Sequence, residues 1–219
     1  MLKGDLNVSG EKRPVDEVAN LLTHGFGFLL SIAATVILMR MVASESARMI
    51  VACGVYCLTL ILLYGASTLS HMFHDLDRRR LFRMLDQACI YLLIAGSFTP
   101  YAVIFLGRGW WWLVLISMWV LALAGVVIVI RRRNPSGAAK ITYGLLGWLP
   151  VVSLWELYQV APMEMLVWLL AGGVFYSTGT IFLRFDHEIR YLHALWHAFV
   201  IAGSICHYIG VLVYVAGSH

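Results

Sequence analysis

The chain has 219 residues, 61% of them hydrophobic and only 13% charged. Soluble domains average about 45–50% apolar and about 25% charged residues, so this composition excludes a soluble fold and points to an integral membrane protein. The net charge of +4 is therefore informative through its distribution over loops, and is no sign of nucleic-acid binding.

At about 20 apolar residues per crossing, the chain holds about seven helices and no further domain. The expected architecture is an all-α, seven-transmembrane-helix bundle. Residues 1–16, polar and carrying Gly4, Gly10 and Pro14, are expected to form a short tail. A single membrane domain then covers about 17–217, with segments near 17–41, 48–74, 84–106, 110–130, 139–160, 163–183 and 190–217. Leu21 to Val42, followed by Ala43-Ser44-Glu45-Ser46-Ala47, loosely resembles a cleaved leader. Its apolar run exceeds the usual h-region of about 7–15 residues, so it is expected to be retained as the first helix.

The connector after the second segment, Asp75 to Arg83, contains Arg78-Arg79-Arg80. The third segment contains Pro100, a kink that membrane helices tolerate. Trp110-Trp111-Trp112 open the fourth, and Pro150 falls inside the fifth. Cys53, Cys57, Cys89 and Cys206 all lie in apolar segments and are expected to pack as small hydrophobes, with no disulfide framework.

The basic residues orient the chain. Lys3, Lys12, Arg13, Arg78, Arg79, Arg80, Arg83, Arg131, Arg132, Arg133, Lys140, Arg184 and Arg190 fall on one side of a seven-span chain, and only Arg40, Arg48 and Arg108 on the other. This split places the N-terminus in the cytoplasm and the C-terminus outside. It sets the three tryptophans at the outer interface, where amphipathic indoles are favoured.

The same topology sorts the ionisable residues by depth. The last segment opens Arg190-Tyr191-Leu192-His193-Ala194-Leu195-Trp196-His197. His193 and His197, four residues apart, share one helix face. His71 closes the second segment and Asp86 opens the third, so all four groups converge on the cytoplasmic layer. Ionisable groups inside a membrane are costly and mark functional sites by default. Three imidazoles with an open fourth position make a catalytic type of zinc site. His71, His193 and His197 are the expected Zn2+ ligands. Asp86 binds directly or hydrogen-bonds a metal-bound water, whose pKa zinc lowers to about 7. Ser67, one turn before His71, is a candidate to hold an imidazole, the water or a substrate carbonyl. The alternatives are an Asp86–Arg83 ion pair and a Ser67 bond to its own helix. The pair is not the helical protease motif, because position 194 is Ala where that motif has Glu.

Other polar groups have less defined places. His74 competes with His71 but lies at the helix end. Glu17, Asn20 and His24 share a face of the first segment, lining the same cavity or tying that segment to the last. His207 is expected to pack within the bundle, Glu156 to sit at the interface, and Asp186, His187, Glu188 and His219 to meet solvent. Gly25, Gly27, Gly172 and Gly173 are expected to permit close helix packing.

Together, Glu17-x-x-Asn20, Thr23-His24, Ser67-x-x-x-His71, Asp86, Gly96-Ser97-Phe98-Thr99-Pro100-Tyr101 and His193-x-x-x-His197 resemble the hemolysin III branch of the progestin and adipoQ receptor family, in its bacterial form. The resemblance covers essentially the whole chain. It implies a seven-helix bundle in the bacterial inner (cytoplasmic) membrane, with zinc held near the cytoplasmic face by His71, His193 and His197. It also implies that Asp86 and Ser67 match the family's aspartate and serine. Family links to membrane lipid homeostasis, and to zinc-dependent hydrolysis of lipid amides in relatives, suggest a zinc-dependent hydrolase acting on a membrane lipid. The alternatives are a lipid or fluidity sensor without turnover, and a hemolysin-like pore or transporter.

Overall fold

A computed structural model describes residues 14–132, 137–186 and 188–217. Residues 1–13 of the tail expected over 1–16, Arg133, His187 and His219 lie outside the described residues. Among the described residues all regular structure is helical. The elements are α1 (Pro14–Met41), α2 (Ala47–Met72), α3 (Leu76–Phe105), α4 (Trp112–Arg132), α5 (Gly137–Trp148), α6 (Leu154–Val160), α7 (Met163–Arg184) and α8 (Leu192–Tyr214). Short 3-10 turns at Gly109–Trp111 and Leu149–Ser153 precede α4 and α6. Helices α1 to α4, α7 and α8 are each long and apolar enough to cross a membrane.

Three boundaries depart from the sequence expectation. Helix α1 starts within the expected tail, at Pro14, a residue suited to the first helical position because its missing N–H has no intrahelical partner there. Helix α3 begins at Leu76, so Arg78, Arg79 and Arg80 lie on its first turns and not in a loop. Asp75 caps it, its carboxylate accepting from the Arg78 N–H at 3.0 Å, a local start signal that overrides the polar composition. The fifth segment is not one helix. Leu149–Ser153 tightens to 3-10 geometry and separates α5 from α6. Pro150 lacks an N–H and its ring crowds the carbonyl one turn back, which breaks a regular α-helix. Pro100, by contrast, stays inside α3.

The helices form a closed ring. Helix α1 packs on α2, α2 on α3, α3 on α4, α4 on α5, α5 on α7, α7 on α8, and α8 returns to α1. Helix α3 also meets α5 and α8 across the interior. It is the most enclosed span, with 67% of its apolar window buried against 22% for α1 and for α7. Close approach of α2 and α3 depends on Gly96, where a Cβ would come within 2.3 Å of the Thr59 hydroxyl. The four cysteines are buried free thiols, as expected.

Candidate metal centre

The end of α2 and the start of α8 meet at one level. His71, His193 and His197 each offer a ligand nitrogen, and these atoms all lie within 4.8 Å of one another. Ring centroids are 5.3 Å apart for His71–His193, 5.2 Å for His71–His197 and 4.5 Å for His193–His197. His71 and His197 are buried, at 9% and 1% exposure.

Each imidazole is held from behind through Nδ1. His71 Nδ1 donates to Glu17 Oε2 at 2.6 Å. His193 Nδ1 donates to Asp186 Oδ2 at 2.7 Å. His197 Nδ1 lies 3.1 Å from Thr23 Oγ1. A carboxylate only accepts, so it assigns the proton to Nδ1 in the first two rings. The Thr23 hydroxyl has one hydrogen, which it directs to the helix carbonyls of Ala19 and Asn20, both at 2.9 Å. Its oxygen can therefore accept from His197. With Nδ1 turned toward these partners in all three rings, each Nε2 could serve as a metal ligand. This carboxylate–histidine arrangement orients metal ligands and raises their basicity. The donor set thus suits a divalent ion such as zinc.

Five segments build this layer. Helix α1 supplies Glu17 and Thr23, α2 supplies His71, and α8 supplies His193 and His197. Helix α3 supplies Arg79, hydrogen-bonded to Glu17, and Arg83, 3.6 Å from it. The connector before α8 supplies Asp186. Its side chain is only 4% exposed, which corrects the expectation that it is solvated. Tyr191, in the left-handed conformation at φ 60°, makes the turn into α8. The connector is thereby folded back onto the site.

Ser67 lies one turn before His71, fully buried, and its Oγ has no hydrogen-bond partner among the described residues. On α1, both polar atoms of the Asn20 amide and both ring nitrogens of His24 are buried without such a partner. His24 stacks on His197 with centroids 3.5 Å apart. Glu17, bonded to His71, and His24, stacked on His197, both border the site, while Asn20 is buried on the same helix. Asp86 is half-buried on α3 and outside the three-histidine group. His74 falls beyond the end of α2 and is exposed. Sequence reasoning missed Asp186 and did not use Thr23. Asp186 is seven residues from His193 and on the other side of a helix start, so no periodicity links them.

Above this layer, a cavity of about 260 Å³ runs between α3, α5, α7 and α8. Its wall reaches Leu183 and Trp196, next to the site, and extends to His207.

The sequence model of the "Haemolysin-III related" family matches residues 13–208. The chain is 39% identical over 202 residues to Hemolysin-3 of Bacillus cereus, covering 91% of this chain and 92% of the relative. It is 35% identical over 201 residues to the Hemolysin-3 homolog of Bacillus subtilis (strain 168), covering 91% and 94%. The human monocyte to macrophage differentiation factor is 24% identical over 218 residues, covering 94% and 88%. The six apolar helices and these bacterial relatives mark a multi-pass bacterial membrane protein. The chain belongs to the haemolysin-III-related family.

Proposed function

We propose that the protein is a zinc-dependent hydrolase acting on a membrane lipid. The observation that carries this reading is the convergence of His71, His193 and His197, each with its Nδ1 against Glu17, Asp186 or Thr23. Three imidazole nitrogens with no fourth protein ligand in the group among the described residues are the pattern of a catalytic zinc site; a structural one closes with four. Zinc bound there supplies a Lewis acid and a water made acidic enough to react near neutral pH. Asp86 would accept the proton of the attacking water, and Ser67, whose Oγ has no hydrogen-bond partner among the described residues, would hold the substrate carbonyl. Asn20 and His24 add hydrogen-bonding capacity on the α1 side.

The lipid is the substrate class because the space beside the site is apolar and within the bundle. Its tail occupies the cavity between α3, α5, α7 and α8, and it enters sideways where Gly144 and Thr180 on the cavity wall are exposed. In this reading α5, the 3-10 turn and α6 together make a seventh crossing, over 137–160. The N-terminus is cytoplasmic, the C-terminus is outside, and the metal layer lies at the cytoplasmic face.

The test pairs zinc quantification on purified protein with lipid profiling of cells carrying wild type or Asp86→Ala. Stoichiometric zinc, with one lipid product pool present in wild type and lost in the variant, is the expected result. Purified protein without zinc, and no change on replacing His193 and His197 by Ala, would overturn it. Zinc with unchanged lipid pools would favour a sensor without turnover.

A further inference from the structure

Four glycines on the helices around the cavity behave differently. Gly172 is a packing glycine, since a Cβ there would come within 2.3 Å of the His207 ring. Gly144, Gly147 and Gly173 are not, because a Cβ at any of them would meet nothing within 4 Å. All three line the cavity. Glycine is disfavoured inside a helix by about 1 kcal/mol relative to alanine and is usual in membrane helices where backbones approach closely. Here three glycines border space instead, which keeps a slot open along α5 and α7.

The polar groups of the slot are nearly all used. Ser97 donates to the Ile94 carbonyl, Tyr143 to the Gln87 carbonyl and Thr180 to the Ser177 carbonyl. Ser177 accepts from the Trp148 indole, and the Tyr176 hydroxyl pairs with Ser204. His207 differs. It is 7% exposed, and its Nδ1 is the one fully buried side-chain nitrogen or oxygen on this wall with no partner among the described residues. Stacking on Tyr176 at 5.5 Å fixes the ring plane but satisfies neither a donor nor an acceptor. A histidine χ2 is two-fold and broad, so a half-turn within that plane exchanges the nitrogen and carbon edges.

We propose that the glycine-walled slot binds a single lipid chain bearing a hydroxyl group part-way along it, and that His207 hydrogen-bonds that hydroxyl. Neutral imidazole and a hydroxyl each donate and accept, so the pair matches in either tautomer. The spacing sets the position of the group. His207 lies ten residues beyond His197 on α8, about 15 Å at the helical rise. An extended chain with C–C bonds of about 1.5 Å advances roughly 1.3 Å per carbon, so the hydroxyl falls about a dozen carbons from the metal layer. This inference rests on the lipid-hydrolase reading for the direction of the chain, and it names the substrate class of that site.

The experiment measures binding and not turnover, by competition with a fluorescent fatty acid on the purified full chain in nanodiscs. The probes are octadecanoic acid and 12-hydroxyoctadecanoic acid. Wild type is expected to bind the hydroxylated acid about five- to tenfold more tightly, the order of one net hydrogen bond. His207→Phe should erase that preference while keeping octadecanoic acid binding, His207→Gln should keep part of it, and Gly173→Leu should weaken both acids. Equal affinities in wild type overturn the proposal whether or not His207→Phe folds, as does a preference that survives in His207→Phe. Zinc content, measured on the same samples, reports separately on the hydrolase reading.

Discussion

Helix α8 carries two polar clusters that resemble each other in sequence and differ in chemistry. At its start, His193 and His197 are gripped from behind by Asp186 and Thr23. Further along, Ser204 and His207 are gripped by tyrosines. Tyr64 donates to Ser204 Oγ at 2.8 Å, Tyr56 to the Ser204 carbonyl at 3.3 Å, and Tyr101 to the His207 carbonyl at 2.9 Å. The first cluster's partners sit behind ring nitrogens that converge on one place. The second uses hydroxyl donors to fill acceptors, which braces α8 against α2 and α3. One gathers imidazoles at a common point, and the backbone and hydroxyl contacts of the other hold the bundle together.

The largest effect that separates the two clusters is expected from His197→Ala. It removes one of three donors and should reduce bound zinc from one per chain to a trace, measured by elemental analysis, with a folded protein by circular dichroism. A variant that retains stoichiometric zinc would mean that the converging histidines are not the metal site.

Next in size is Asp186→Asn. The amide keeps the shape but lacks the carboxylate that raises the basicity of His193. Partners of this kind contribute about 10- to 100-fold in metal affinity, so chelator competition should show a loss in that range, and Glu17→Gln a similar one. Glu17→Gln should also loosen Arg79 and Arg83, so its effect on thermal stability should exceed that of Asp186→Asn.

Thr23→Val should act on affinity more weakly, about three- to tenfold, because it removes one neutral hydrogen bond. The smallest expected change is Tyr101→Phe in the bracing cluster. It should cost about 1 kcal/mol of stability, the net value of one hydrogen bond, and leave zinc affinity unchanged. A loss of zinc in Tyr101→Phe would erase the distinction between the clusters.

Much of the metal layer was legible before any fold was known. His71, His193 and His197 were placed at one depth by the charge distribution, and they meet in space. Ser67 was found because it lies one turn from His71. The supporting groups were harder to read. Glu17 was read as lining the same cavity or tying the first segment to the last, and its partner could not be named because it is 54 residues away on another helix. Asp186 read as a solvated loop acid, since loops are the ordinary place for charge. Gly173 read as a packing glycine beside Gly172, and only its surroundings show that it borders open space.

The sequence by itself determined the class of molecule, most spans and the three histidines. Those features follow from local composition, helical periodicity and the cost of charge in lipid, all of which act along the chain. The tertiary structure alone decided which partner each histidine Nδ1 meets, that α5 and α6 are separate, and that Asp186 turns inward. It also decided that a slot lies between the helices. Cavity and second partners depend on what faces a side chain across a helix–helix contact, and no period within one helix encodes its neighbour.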